Sequence, residues 1–189
     1  MPHDKRDRVK PENPMTITRK LMKGLAPLRC TAFRQPIIDA IEAGKEKYGC
    51  RVVEFTIQND HLHFTVEASG KEGLVKFIIG LSVRIAKTIN RVLGRKGPVW
   101  RDRYHRRDMV SLREVYNGVR YVLCNGAKHG DCYEGKEVDP FSSAPWFRFW
   151  LGLETPRSSG RPVALPQTWK LRNCFEVYGK VDPKYFQDR

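Results

Sequence analysis

Residues 51–67 read RVVEFTIQNDHLHFTVE. Val53, Phe55 and Ile57 alternate with their neighbours, as the side chains of a strand do. Gln58-Asn59-Asp60 is a turn signal. Leu62, Phe64 and Val66 then alternate again over residues 61–67. Two strands joined by a short polar turn predict a β-hairpin. N-terminal to the hairpin, PMTITRKL (14–21) alternates Met15 and Ile17 against Thr16 and Thr18 and predicts a strand. Phe33, Ile37, Ile41 and Tyr48 recur at helical spacing over residues 31–48, with Gly49 as a stop. On the other side of the hairpin, Leu74, Phe77, Ile78, Leu81, Ile85, Ile89 and Val92 form one apolar stripe over residues 72–93, an amphipathic helix that Gly94 to Pro98 ends. VWRDRYHRRDMV (99–110) reads as a basic strand or extended segment. Residues 111–127 predict a further helix, opened by a capping box of Ser111 and Glu114.

The order is β-α-β-β-α-β-α followed by a tail. Its first six elements predict an α+β fold, a ferredoxin-like antiparallel sheet with helices on one face. Residues 1–13 read as a loose N-terminal arm, 14–130 as the folded domain and 131–189 as a C-terminal extension packed on it. The extension is rich in Pro and Trp (Pro140, Pro145, Trp146, Trp150, Pro156, Pro162, Pro166, Trp169), and it predicts a segment that wraps the domain rather than a second core. No GxxxxGK[ST] and no GxGxxG occurs, which speaks against an NTPase or a Rossmann enzyme.

The 189 residues carry 35 Lys and Arg against 21 Asp and Glu, a net charge of +14. Such a charge calls for a polyanionic partner. Residues 71–110 hold +8 of it, eleven basic residues against three acids. We expect phosphate contacts from Lys76, Arg84, Lys87, Arg91, Arg95, Arg101, Arg103, Arg106 and Arg107, with Trp100 and Tyr104 as planes for unstacked bases. The alternative at this stage is a solvated, charge-guarded edge strand. No apolar run is long enough for a membrane helix. The apolar stripe of residues 72–93 is needed for the core, which disfavours a membrane-surface protein. No secretory signal is evident, and five cysteines at 30, 50, 124, 132 and 174 include no C-x-x-C pair, so a reducing, cytoplasmic setting and core roles are expected.

His61 and His63 sit at strand spacing, so both imidazoles face one way and can reach one metal ion. A plain pair of polar-face histidines is the competing reading. On the helix after Ser111, Leu112, Val115, Tyr116, Val119 and Leu123 share a stripe, and Tyr121 falls opposite it. Asn125 lies one turn beyond Tyr121. A surface tyrosine is again the bland alternative. Taken together, the three groups suit phosphodiester cleavage by a tyrosine, assisted by a divalent ion and a basic, aromatic cradle.

Four segments carry a family resemblance: QNDHLHFTV (58–66), VWRDRYHRR (99–107), YVLCNGAKHG (121–130) and DPFSSAPW (139–146). In this order they resemble the HUH single-tyrosine transposases, above all the REP-associated tyrosine transposase group, over roughly residues 14–145. The resemblance implies a DNA nicking and joining enzyme with Tyr121 as nucleophile, His61 and His63 as metal ligands and Asn125 as a third. It implies Mg²⁺ or Mn²⁺ as cofactor, single-stranded or hairpin DNA as partner, cutting beside hairpins through a 5′-phosphotyrosine, and a monomer or homodimer. The sequence departs from the family pattern at Asp60, Gly126 and Arg106-Arg107. A non-catalytic, domesticated hairpin-binding protein on the same fold is the second reading.

Overall fold

A computed structural model describes residues 8–128, 137–153 and 160–184. The expected strands form: β1 Met15–Lys20, β3 Cys50–Ile57, β4 His61–Ala68 and β5 His105–Asp108. They pair in the order β3-β4-β1-β5, each antiparallel to its neighbour. This is the ferredoxin-like order, and the fold is α+β.

The helix expected over 31–48 ends early. Helix α1 spans Thr31–Glu42, and Glu46–Lys47 instead forms a short edge strand, β2, against β3. The cause is the turn between them. Tyr48 (φ 56°) and Gly49 (φ 69°) are both left-handed, as a two-residue hairpin loop requires, and helical periodicity does not reveal that local demand.

Helices α1 and α2 (Lys71–Val92) cover one face of the sheet, as the first six elements imply. Their buried residues, among them Phe33, Ile37, Leu74, Phe77, Ile85 and Ile89, pack on Ile17, Phe55, Leu62, Phe64 and Val66. The opposite face is not open. Helix α3 (Leu112–Leu123) and helix α5 (Trp169–Tyr178) lie over it with the extension. A bulge between Val52 and Glu54 shifts the alternation of β3. Val52, Phe55 and Ile57 face the first core, whereas Val53, expected on the side of Phe55 and Ile57, faces the second.

The extension does more than wrap. Phe147, Trp150, Leu171, Cys174, Phe175 and Val181 bury themselves with Val115, Val119 and Leu123 of α3, so the described part of 131–189 supplies half of a second core layer. It also protects the free edge of β3. Ile57 N donates to Phe141 O (2.7 Å), Ser143 N to Phe55 O (3.0 Å) and Ala164 N to Val52 O (2.9 Å). An edge strand covered in this way offers no template for aggregation. At the other end, Val9 and Asn13 are buried, so the last residues of the expected loose arm pack on the domain. Residues 1–7 of that arm, the expected boundary at 130 and 131, Cys132 and Pro156 lie outside the described residues.

Candidate active site

Strand register places the histidines. His61 and His63 lie on the β4 face that α3 covers, while Leu62 and Phe64 point into the first core. On that face His63 pairs with Thr18 of β1, and the Thr18 hydroxyl lies 2.9 Å from His63 Nδ1. His61 Nδ1 lies 2.6 Å from Asp60 Oδ1. Both Nδ1 atoms therefore have partners, and the two Nε2 atoms face each other at 2.9 Å.

The chemistry of that gap is specific. Where Thr18 and Asp60 accept the two Nδ1 protons, both Nε2 atoms present lone pairs, and a proton or a cation must lie between them. Two metal bonds of about 2.1 Å at a right angle end about 3.0 Å apart, close to the observed separation. Hydrogen bonding at Nδ1 is also how metal-binding imidazoles are oriented. The hydrogen bond from His61, with its charge, holds the Asp60 carboxyl below the usual range.

Helix α3 brings the phenol. Its capping box is present: Ser111 Oγ accepts from Glu114 N (3.1 Å), and Glu114 Oε2 accepts from Ser111 N (2.9 Å). Gly118 lets the helix settle close to the sheet, since a Cβ there would come within 2.3 Å of Met109 Sδ and 3.6 Å of Thr16 Cγ2. Tyr121 then stands over β4, its ring centroid 5.4 Å from that of His63 with the planes at 72°. The two rings border a cleft of about 540 Å³ that Thr16, Thr18, Arg107 and Arg120 also line.

Asn125 is placed differently from the sequence expectation. α3 stops at Leu123, Cys124 leaves helical geometry (φ −100°, ψ 11°), and Asn125 opens the short α4 (Asn125–Lys128). The continuous helix expected to Ala127 is thus broken between Tyr121 and Asn125. Asn125 is fully buried, and neither atom of its amide has a hydrogen-bond partner among the described residues. A buried amide in that state calls for a water or an ion. Among the described residues no three His, Cys, Asp or Glu side chains converge as a metal site. The two Nε2 atoms fit a divalent ion as a pair of nitrogen ligands, and Asn125 is not among the residues that line the cleft beside them.

Residues 29–122 match the family model described as "Transposase IS200 like". The chain belongs to the IS200-like transposase family. The match includes His61, His63 and Tyr121 and ends short of Asn125. No curated protein matches the chain. A solved structure of a REP-associated tyrosine transposase bound to a REP hairpin is similar in fold, with a TM-score of 0.59 and 19% identity over 76% of this chain and 82% of that one.

In this member of the IS200-like transposase family the basic residues do not form one surface. Arg107 is exposed at the cleft beside His63 and Tyr121, 3.9 Å from Glu114. Arg120, which the sequence reading passed over, lines the same cleft. Lys76, Arg84, Lys87 and Arg91 are exposed on α2, on the other side of the sheet. Arg84, Lys87 and Arg91 line a separate groove of about 580 Å³ between α1 and α2. Arg101 is exposed and bonds Asp102 (2.7 Å), and Arg103 is exposed.

Four of the residues expected to contact DNA have partners within the fold. Trp100 donates from Nε1 to Ser82 O (2.9 Å), which pins it to α2, and the Arg19 guanidinium lies 4.7 Å over its ring. Tyr104 packs against the first core. Arg106 is nearly buried and grips Asp108 with two nitrogens (2.7 and 3.0 Å). Arg95 bonds Asn90 Oδ1 and Pro98 O, closing the end of α2. Alternation predicts which strand residues share a face; it does not say that Arg19 and Asp108 will claim these side chains.

DPFSS (139–143) proves to be a clamp. Asp139 forms a two-pronged pair with Arg29 (2.9 and 3.0 Å), and the Arg29 guanidinium lies 4.8 Å over the Phe141 ring. Three of the four described cysteines are core residues, and burial pushes the thiols of Cys50, Cys124 and Cys174 up to about 11, 12 and 12. Cys30 is exposed.

Proposed function

We propose that the protein is a metal-dependent single-stranded DNA endonuclease and strand transferase that cuts beside hairpin DNA with Tyr121 as nucleophile. The observation that carries this reading is the approach of Tyr121 to His63 across the cleft, 5.4 Å between ring centroids. Family membership supplies the class of reaction, and the hairpin bound to the similar structure suggests the substrate.

In the proposed reaction the Tyr121 oxygen attacks the scissile phosphorus and loses its proton to solvent through the open cleft. The bond from phosphorus to the 3′ oxygen breaks, and that oxygen takes a proton from solvent. The products are a 5′-phosphotyrosine and a free 3′-OH. Rejoining is the reverse attack by a 3′-OH, and the ester retains the energy of the broken bond, so no ATP is needed. Arg107 and Arg120 hold the phosphates flanking the cut. His61 and His63 would hold a Mg²⁺ or Mn²⁺ ion through their Nε2 atoms, with Asn125 as the proposed oxygen ligand. Such an ion supplies Lewis-acid polarisation and orientation of the scissile phosphate. Thr18 and Asp60 keep the two imidazoles in the required tautomer.

Incubating the protein with labelled hairpin oligonucleotides and Mn²⁺ tests the reading. A strand that migrates with the protein after denaturation supports it. Tight binding without such a strand, across a panel of hairpins and metals, would replace it with the non-catalytic hairpin binder.

A further inference from the structure

Helix α5 has no cap of its own. Its N-cap residue, Thr168, makes no side-chain bond to the helix. The start of the helix is instead held by a residue from another element. The Glu67 carboxylate accepts from Thr168 N (2.7 Å), Thr168 Oγ1 (2.7 Å) and Gln167 N (3.0 Å to each oxygen). Glu67 is buried to 5% exposure, with Arg51 Nε 3.7 Å away as its ion-pair partner. A carboxylate at this point pairs the amides of Gln167 and Thr168, just ahead of the first turn, and complements the positive end of the helix.

The position of that carboxylate is the informative part. Glu67 stands on β4, the strand that carries His61 and His63, and alternation puts all three on the same face. Helix α5 packs on α3, where Phe175 and Tyr178 meet the Tyr116 ring at 5.7 and 5.5 Å and Leu171, Cys174 and Phe175 join Val115 and Val119 in the second core. α3 carries Tyr121. β4 thus carries the histidines and, in addition to the direct packing of α3 on the sheet, ties the tyrosine helix a second time through α5. Along β4, His63 and Glu67 are about 13 Å apart at ordinary strand rise, so both attachments belong to one rigid ruler.

We infer that Glu67 is a positioning residue for the nucleophile: by tying α5 to β4 it fixes the height and angle of α3, and hence of Tyr121, over the histidines. The inference rests on the proposed role of Tyr121 for its effect on rate, but its structural part stands alone. A cap that merely stabilised α5 could be supplied by any acceptor within the helix. A cap that positions α3 must come from β4.

Two variants separate these. Glu67→Ala removes the tie. Glu67→Ala with Thr168→Asp returns a cap to α5 from within its own chain segment and leaves the tie to β4 broken. The first measurement is native-state hydrogen exchange on the full chain. We expect residues 112–123 to exchange at least tenfold faster in both variants, while 169–178 recover protection in the double variant. The second is the single-turnover rate of protein–DNA adduct formation at saturating hairpin DNA and Mn²⁺, counted per folded molecule. A displacement on the order of 1 Å costs about 100-fold in such a step, so we expect both variants to be 10- to 100-fold slow with DNA affinity within twofold of wild type. Recovery of α3 protection and of rate in the double variant would overturn the inference, leaving Glu67 as a cap only. If Glu67→Ala does not fold, the comparison runs on Glu67→Gln with and without Thr168→Asp, under the same two criteria. If wild type forms no adduct, the proposed function fails, and the exchange result still decides the positioning role.

Discussion

Tyr121 of α3 and His63 of β4 meet edge to face across the cleft, centroids 5.4 Å apart, although they belong to different layers of the fold. Neither residue is brought there by its neighbours in sequence. β4 is positioned by its pairing with β1 and β3. α3 is positioned by the capping box at Ser111, by the close approach at Gly118 and by the extension behind it.

The first prediction concerns the partners of the histidines. Thr18→Val and Asp60→Ala each remove the group that orients one imidazole. Loss of such a partner typically weakens metal binding by about 10- to 100-fold. Titration of Mn²⁺ by calorimetry should show weakening in each variant with the ligands His61 and His63 intact. Unchanged affinity in both would mean that the Nδ1 contacts do not support a metal site.

The second concerns pH. Burial lifts the Glu54 carboxyl from its ordinary 4.5 to about 7, against the opposing effects of the Ser143 hydrogen bond and the Arg161 charge. Below pH 4.5 the carboxyl is protonated folded or unfolded. Between 4.5 and 7 the folded protein keeps a proton that the unfolded chain has released, so the contribution of Glu54 to stability falls as pH rises through this window, by about 3 kcal/mol in all. Thermal unfolding of wild type should therefore lose ground to Glu54→Gln between pH 5 and pH 8. Parallel curves would show that the carboxyl is already ionised at the lower pH.

Two basic surfaces lie on opposite sides of the sheet, and they should respond differently to mutation. Arg107→Ala at the cleft should weaken hairpin binding and reduce the steepness of its salt dependence by about one phosphate contact. It should also slow adduct formation. Lys87→Glu with Arg91→Glu, in the α1–α2 groove, should weaken binding of long substrates while short oligonucleotides spanning only the cut site bind as before. Equal losses on both substrates would place the groove in contact with the cut site itself.

A structural prediction follows from the Asp139 clamp. Its carboxylate is fully buried against Arg29. Removing one partner of a buried pair leaves the other charge unsatisfied and costs about 3–5 kcal/mol. Asp139→Ala should lower the urea midpoint accordingly, and Arg29→Met with Asp139→Leu should recover much of it. A midpoint unchanged in the single variant would show that the clamp contributes nothing.

Much of this architecture is legible in the amino-acid order. The hairpin at 51–67, the strand at Met15–Lys20, the long α2 and the Ser111–Glu114 capping box are local patterns that appear in the fold, whereas the helical patterns over 31–48 and 111–127 are cut short by local turns. The face that α3 covers was not legible, because it depends on a bulge at Val52/Glu54 and on a tail whose aromatic residues have no regular period. Nor was the fate of the basic run. Lys76, Arg84, Lys87 and Arg91 read as one surface with Arg106 and Arg107, yet the sheet separates the α2 residues from the cleft, and Arg106 turns inward to Asp108. The histidine pair and Tyr121 were readable one by one from spacing. Thr18 and Arg120 beside them were not, since cross-strand register and helix docking place them there.

The most direct test of the account is to map the covalent bond. The protein is reacted with single-stranded hairpin DNA and Mn²⁺, digested, and the nucleotide-bearing peptide identified by mass spectrometry, with Tyr121→Phe treated in parallel. A nucleophilic Tyr121 gives a phosphodiester-linked nucleotide on its oxygen and no adduct in the variant. An adduct on Tyr104 or Tyr116, or one that persists in Tyr121→Phe, would contradict that role.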